Sequence, residues 1–289
     1  MPRITVTPAA EHEAAACLAL LPEVQGLPAE LLIARRDGAL AGAAALVWQS
    51  WSKPAGFPLS VHVLPDARRQ GVGRALVAEA AALAGAETDG LWSRGPVAVE
   101  GEAARFMRAC GFAPLKRQHH FQARIETLLE HVTPVLGRLR SRGRLPADAR
   151  VIGLTEAPLE EVGWLVSAEF GGGPESALRW LSRRTVAGAE RSLERSLAVM
   201  QGDQVAGVVL WRVDDGVAVV EARLVAPGWR GDWPSLLQLE AGLLAGRDAG
   251  LTEFRFDCED TVRDTMNLAR RSGAQEMART ATYYLEIPA

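Results

Sequence analysis

The chain repeats itself. Pro65 and Pro227, Gly111 and Gly273, and Ile125 and Ile287 each stand 162 positions apart. A constant separation over three widely spaced landmarks makes the 289 residues two copies of one fold rather than two unrelated domains. Length points the same way, because a single hydrophobic core seldom grows to this size. Shorter matches accompany the landmarks. Asp37-Gly38-Ala39-Leu40-Ala41-Gly42 aligns with Gly202-Asp203-Gln204-Val205-Ala206-Gly207, and His62-Val63-Leu64-Pro65 aligns with Leu224-Val225-Ala226-Pro227.

Hydrophobic periodicity fills in each copy. Alternation over residues 3–7 predicts a first strand, and the Ala-rich stretch 11–21 predicts a helix ended by Pro22. Residues 31–35 and 40–48 flank Asp37-Gly38, a strong hairpin signal. A strand at 91–99 is interrupted by Gly95-Pro96, a short helix over 102–109 stops at Gly111, and strands at 112–115 and 120–125 close the unit. Between the copies Pro134, Gly137, Gly143 and Pro146 interleave with five arginines, which reads as a solvated connector with one short basic helix. The expected division is therefore a first domain over 1–126, a linker over 127–149 and a second domain over 150–289.

The stretch richest in chemistry is Val61-His62-Val63-Leu64-Pro65-Asp66-Ala67-Arg68-Arg69-Gln70-Gly71-Val72-Gly73-Arg74. It reads as strand, turn and helix. Glycine permits the turn, and the first amides of the helix lack intrahelical acceptors at the positive end of the macrodipole. Arg68, Arg69 and Arg74 add full charges. This is a pocket for a phosphorylated ligand, most naturally a pyrophosphate. In the second copy the same place reads Arg230-Gly231-Asp232-Trp233-Pro234-Ser235. Trp233 and Ser235 replace the two glycines, an indole is expected to crowd the turn, and Asp232 repels phosphate. The phosphate site is expected in the first copy alone.

Composition removes other classes. A formal net charge of −3 argues against non-specific binding to nucleic acid or an anionic membrane. Cys17, Cys110 and Cys258 are odd in number and far apart, so reduced thiols in a cytoplasmic protein are expected. No metal-ligand spacing occurs. Adjacent His119 and His120 point to opposite faces of a strand and so cannot share one ion.

The turn fits neither the dinucleotide fingerprint, which needs glycine where Leu76 stands, nor a P-loop, which needs Lys then Ser or Thr where Arg74 and Ala75 stand. It resembles the signature of the GNAT superfamily of acyl-CoA N-acyltransferases, Arg/Gln-x-x-Gly-x-Gly/Ala after a strand ending in Val-x-Pro. A second landmark of that family, Ala-x-x-Phe-x-x-x-x-Gly-Phe, is matched by Ala103 to Phe112. The resemblance covers most of 1–126 strongly and 150–289 weakly. It implies an α/β, or mixed α+β, architecture of tandem GNAT folds, each a mostly antiparallel mixed sheet flanked by helices. It also implies that acetyl-CoA is the co-substrate, held by Val61, Val63 and the run Arg68, Arg69, Gln70, Gly71, Val72, Gly73 and Arg74. By the same resemblance the Val63 amide meets the thioester carbonyl, and a primary amine of a small molecule or peptide accepts the acyl group. A non-catalytic acyl-CoA-binding or sensor protein is the alternative, because the sequence departs from the family at one point. Met107 stands where many members carry the tyrosine that protonates the departing thiolate. Ser93 and Cys110 are the nearby replacements, with Cys110 also readable as packing. For the base the candidates are His62, Glu100 and Glu102. His62, opposite in phase to Val61 and Val63, reads also as a residue against a packed helix, and Glu102 as first-turn charge. In the second copy Glu221 and Arg223 share a face of the strand before Pro227, as an acceptor-recognition pair or a structural ion pair.

Overall fold

The computed structural model describes residues 3–48, 56–85, 88–171, 173–184, 193–229 and 232–287. Arg230 and Gly231 of the second turn lie outside them, as does Gly172. The chain forms two compact units, one of Met1–Arg117 with Thr280–Ala289 and the other of Gln118–Arg279.

In the first unit the order is β1 (Ile4–Pro8), α1 (Ala14–Leu20), β2 (Ala29–Arg36), β3 (Ala39–Val47), β4 (Phe57–Val63), α2 (Val72–Ala84), β5 (Gly90–Ser93), β6 (Val97–Ala98) and α3 (Glu102–Ala109). β1 to β4 form an antiparallel meander, and β5 lies parallel to β4. The Asp37-Gly38 hairpin turns with both residues at positive φ, as its two-residue loop requires. β3 is covered on both faces, which accounts for its run of small apolar residues. Ala44 and Leu46 face the cluster built on Leu76, Val77 and Ala80 of α2, while Ala43 and Ala45 face the cluster of Cys17, Leu21 and Val24.

The second unit follows the same plan with α4 (Ile125–Ser141), β8 (Ala149–Gly153), α5 (Leu159–Phe170), α6 (Pro174–Arg184), β9 (Leu197–Gln201), β10 (Gln204–Asp214), β11 (Val217–Val225), α7 (Pro234–Asp248), β12 (Glu253–Glu259) and α8 (Arg263–Arg271). Matching backbone hydrogen bonds recur in the two copies. The Leu64 amide donates to Ala41 at 3.0 Å and its counterpart Ala226 donates to Ala206 at 3.0 Å. Phe112 donates to Met107, and Ala274 donates to Ala269.

Two expectations change. The first concerns the boundaries. β7 (Ala113–Arg124) and β13 (Gln275–Glu286) are the same element of the repeat, yet they close the opposite copies. Gln118–Arg124 pairs with β12 in the second unit, while Tyr284–Glu286 pairs with β5 and Thr280–Ala281 with β6 in the first. Equivalent strands have equivalent edges, so one can replace the other, as in domain swapping. Contiguous domains ending at 126 and starting at 150 are therefore not what forms. The second concerns the connector. Residues 125–141 are one helix of 17 residues, with Pro134 inside it. Pro134 removes one helical hydrogen bond, at a cost of about 3 kcal/mol in an isolated helix. Burial of Leu128, Leu129, Val132 and Leu136 in a cluster with α7 and β12 offsets that cost.

Candidate functional site

β4 ends in the opening that the first unit offers a ligand. Its pairing with β5 stops at Leu59↔Ser93, but the strand continues to Val63. On the other edge Gly42↔Val63 and Ala43↔His62 keep β4 paired with β3. The Leu64 amide points to β3, since it donates to Ala41. Alternation then turns the amides of Val61 and Val63 the other way, into the gap that β5 has left. Val61 and Val63 pack their side chains against the α2 cluster, so His62, half-buried beside Ala43, lies on the α1 face.

The turn after β4 closes over this gap. Arg68 Nε donates to the Val63 carbonyl at 3.1 Å, and Gln70 Nε2 donates to the Asp66 carbonyl at 2.7 Å. Arg69 at φ 62 and Gly71 at φ 90 reverse the chain into α2. The amides of Val72, Gly73 and Arg74 fall in the first turn, before Ala75 makes the first helical bond to Gly71. Arg68, Arg69, Gln70 and Arg74 are exposed around them.

The two glycines of the motif do different things. Gly71 is there for conformation: an added Cβ meets only Ile4 Cδ1 at 3.5 Å, but its φ lies in the left-handed region. Gly73 is there for space. A Cβ on it falls 2.6 Å from Phe106 Cε2 and 3.4 Å from Val63 Cγ2. Phe106 belongs to the second landmark, so the two motifs meet in contact. Sequence spacing gave no sign of that, because α2, β5 and β6 intervene.

The other candidates are less gathered. Glu100 is exposed, beyond β6 and before α3, and takes no part in these contacts, and Glu102 opens α3. Met107 is 9% exposed in the core, where its thioether donates no proton. Ser93 is buried, with its Oγ accepting the Tyr283 amide at 3.0 Å. Burial pushes the Cys110 thiol up. Tyr283, brought by the last strand of the chain, is 1% exposed, and its hydroxyl lies 3.2 Å from Arg108 Nη1. Nothing local in the sequence marks it as part of the first unit.

In the second unit the corresponding turn has another form. Trp233, expected to crowd the anion site, is 2% exposed in the hydrophobic cluster instead, with φ −51 and ψ −32 where Gly71 has φ 90. Asp232 Oδ1 takes the Trp233 amide at 2.8 Å. In the described part of this turn the backbone enters the helix without a left-handed residue. Glu221 and Arg223 each engage side chains from other elements. Glu221 binds Arg184 Nη2 at 2.6 Å and Arg212 Nε at 2.8 Å, while Arg223 donates to Thr265 Oγ1 at 2.7 Å. His119 and His120 each take a carboxylate, Glu276 and Asp257, both at 2.6 Å. Among the described residues no group of three metal-binding side chains occurs, and no helix is long and apolar enough to cross a membrane. The three cysteines are free thiols.

Residues 28–114 match the family model described as an acetyltransferase (GNAT) domain. That stretch lies within the first unit. Solved structures share the fold over nearly the whole chain. A GCN5-related N-acetyltransferase from Sphaerobacter thermophilus is 18% identical with a TM-score of 0.60, covering 99% of this chain and 96% of that one. A tandem GNAT protein from the clavulanic acid biosynthesis pathway is 15% identical with a TM-score of 0.59, covering 99% of each. A probable N-acyltransferase from Enterococcus faecalis V583 is 11% identical with a TM-score of 0.64, covering 99% of this chain and 73% of that one. No curated protein sequence matches. The fold is thus that of tandem GNAT structures, each unit with a mostly antiparallel mixed sheet.

Proposed function

We propose that the protein is an N-acetyltransferase in which the first unit binds acetyl-CoA and passes its acetyl group to the primary amine of a small molecule or peptide. The observation that carries this reading is the junction of β4 and α2. An opening beside Val61 and Val63 leads to a left-handed turn, three first-turn amides and three exposed arginines. A pyrophosphate suits the turn, and the extended arm of the co-substrate suits the strand edge. The Val63 amide then faces the thioester carbonyl and stabilises the oxyanion as the amine nitrogen attacks. The C–N bond forms and the C–S bond breaks. The amine gives up one proton, with His62 or Glu100 as its acceptor through water, and the sulfur leaves as thiolate. A thiol has an ordinary pKa of about 8.5, so the thiolate departs without a strong acid. Holding both reactants in one cleft supplies much of the acceleration. Reduced cysteines fit a cytoplasmic setting.

Titration calorimetry with acetyl-CoA tests the binding half. Heat is expected for wild type and none for Gly71→Asp, which places a carboxylate and an unfavourable φ in the turn; equal affinity in both sinks the reading. The second reading, an acyl-CoA-binding sensor, is favoured by the buried thioether of Met107 at the usual acid position. CoA release across an amine panel separates the two. Turnover with any amine dismisses the sensor, and binding without turnover favours it.

A further inference from the structure

The second unit keeps the opening beside its central strand but lines it differently. β11 pairs with β12 at Ala218 and Val219 and runs on to Val225. Beside that half of the strand lies a cavity of about 180 Å³, walled by Ala168 and Glu169 of α5, Arg223 and Val225 of β11, and Ser235 of α7. Counted along the repeat, Arg223 and Val225 stand for Val61 and Val63, and Ser235 stands for Gly73. The cavity is the second copy of the slot assigned above to the co-substrate.

Its chemistry does not suit the same ligand. Trp233 takes helical angles where the first copy has left-handed Gly71, and the Asp232 carboxylate already occupies the Trp233 amide. The cavity offers one cation and one anion. Arg223 lines it from the strand, with one guanidinium nitrogen donating to Thr265 Oγ1 at 2.7 Å, and Ser235 lines it from the positive end of a 15-residue helix. Pro234 has no amide to give, and the amides of Leu236 and Leu237 both donate to the Trp233 carbonyl. That leaves the Ser235 amide as a first-turn donor with no acceptor among the described residues. Glu169 brings a carboxylate from α5. The volume is below the roughly 300–1,000 Å³ of sites for drug-sized ligands, so the occupant is small.

We propose that this cavity is a binding site for a small zwitterion of the α-amino-acid class, its carboxylate on Arg223 and Ser235 and its ammonium on Glu169. A molecule with both charges makes both charge-assisted contacts, whereas an amine or an acid alone makes one. The site is separate from the acetyl-CoA turn and does not depend on the activity proposed for it.

Calorimetry of the full chain, free of acyl-CoA, against the proteinogenic amino acids tests the assignment. At least one is expected to bind, with its decarboxylated and deaminated analogues weaker by about tenfold or more, equivalent to ~1.4 kcal/mol. Glu169→Gln and Ala168→Trp change exposed positions of α5 and leave the core intact. Each is expected to weaken amino-acid binding by about tenfold while leaving acetyl-CoA affinity as in wild type. The proposal is overturned if no amino acid binds, or if both variants bind as wild type does. A loss of acetyl-CoA affinity in Ala168→Trp also overturns it, because the cavity would then be receiving the acyl-CoA arm.

Discussion

The two turns that follow β4 and β11 begin alike and end differently. Both leave a central strand through proline and a short 3-10 turn, Pro65–Ala67 in one and Pro227–Trp229 in the other. Both lead to a helix that packs on its own sheet. In the first, Gly71 at φ 90 delivers bare amides to solvent beside three arginines. In the second, Trp233 takes helical angles and carries its indole into the core, and an aspartate caps the amide. One copy leaves its turn open to solvent, and the other packs its turn into the core. A fold can thus be repeated while its turn is rebuilt, because the strand and helix depend on apolar burial and the turn depends on local backbone conformation.

Substitutions at matched positions break or sharpen this contrast. The largest effect is expected from Trp233→Ala, which empties a fully packed site. It is expected to lower stability by about 4 kcal/mol, read as a fall in the urea midpoint, with acetyl-CoA affinity unchanged. An unchanged midpoint would deny that this turn serves the core. Next comes Gly73→Leu, whose side chain has no room beside Phe106. A loss of about 3 kcal/mol is expected. Adding Phe106→Ala is expected to recover part of that loss, and a double variant no more stable than Gly73→Leu alone would disprove the contact. Gly71→Ala has room and lacks only the conformation. It is expected to cost about 1 kcal/mol in thermal denaturation but to lower acetyl-CoA affinity by more than its stability cost implies.

The smallest effect concerns acid. Hydrogen bonds from Arg279 and His119, the first the larger, hold the Glu276 carboxyl down at about 2, against an ordinary value of 4.5. A depressed folded value means that the stabilisation is fully present above pH 4.5 and is lost as pH falls towards 2. Glu276→Gln is expected to flatten the acid limb of the stability curve in that window and leave the rest alone. The group lies near the surface, so the change is modest and shrinks further in high salt. A limb as steep as that of wild type would refute the role.

Much of the fold is legible from local pattern. The Asp37-Gly38 hairpin, the break at Gly95-Pro96, the helix stops at Gly111 and Gly273 and the anion turn all follow from residues within a few positions of each other. The family likeness rests on two such motifs. What escaped was non-local. Pro134 and Gly137 read as breakers in residues 127–149, but the helix survives because its leucines are buried by α7 and β12, which come about a hundred residues later. The indole of Trp233 reads as an obstruction in the turn, and only packing shows that it has left the turn for the core. Glu221 and Arg223 share a strand face, yet each engages residues from elsewhere, Arg184 and Arg212 for one and Thr265 for the other.

The sequence by itself determined that there are two copies, most of the elements of the first, and which copy carries the Arg-x-x-Gly-x-Gly motif. These are properties of period, backbone freedom and charge, and they are written within short windows. Tertiary structure alone decided which copy each closing strand completes, that Gly73 packs against Phe106, and that Tyr283 from the end of the chain belongs beside Ser93. Strand pairing and close packing join residues far apart in sequence. Their free energy depends on complementary edges and volumes, which no single window contains. β7 and β13 are nearly interchangeable as patterns, so only the assembled edges distinguish them.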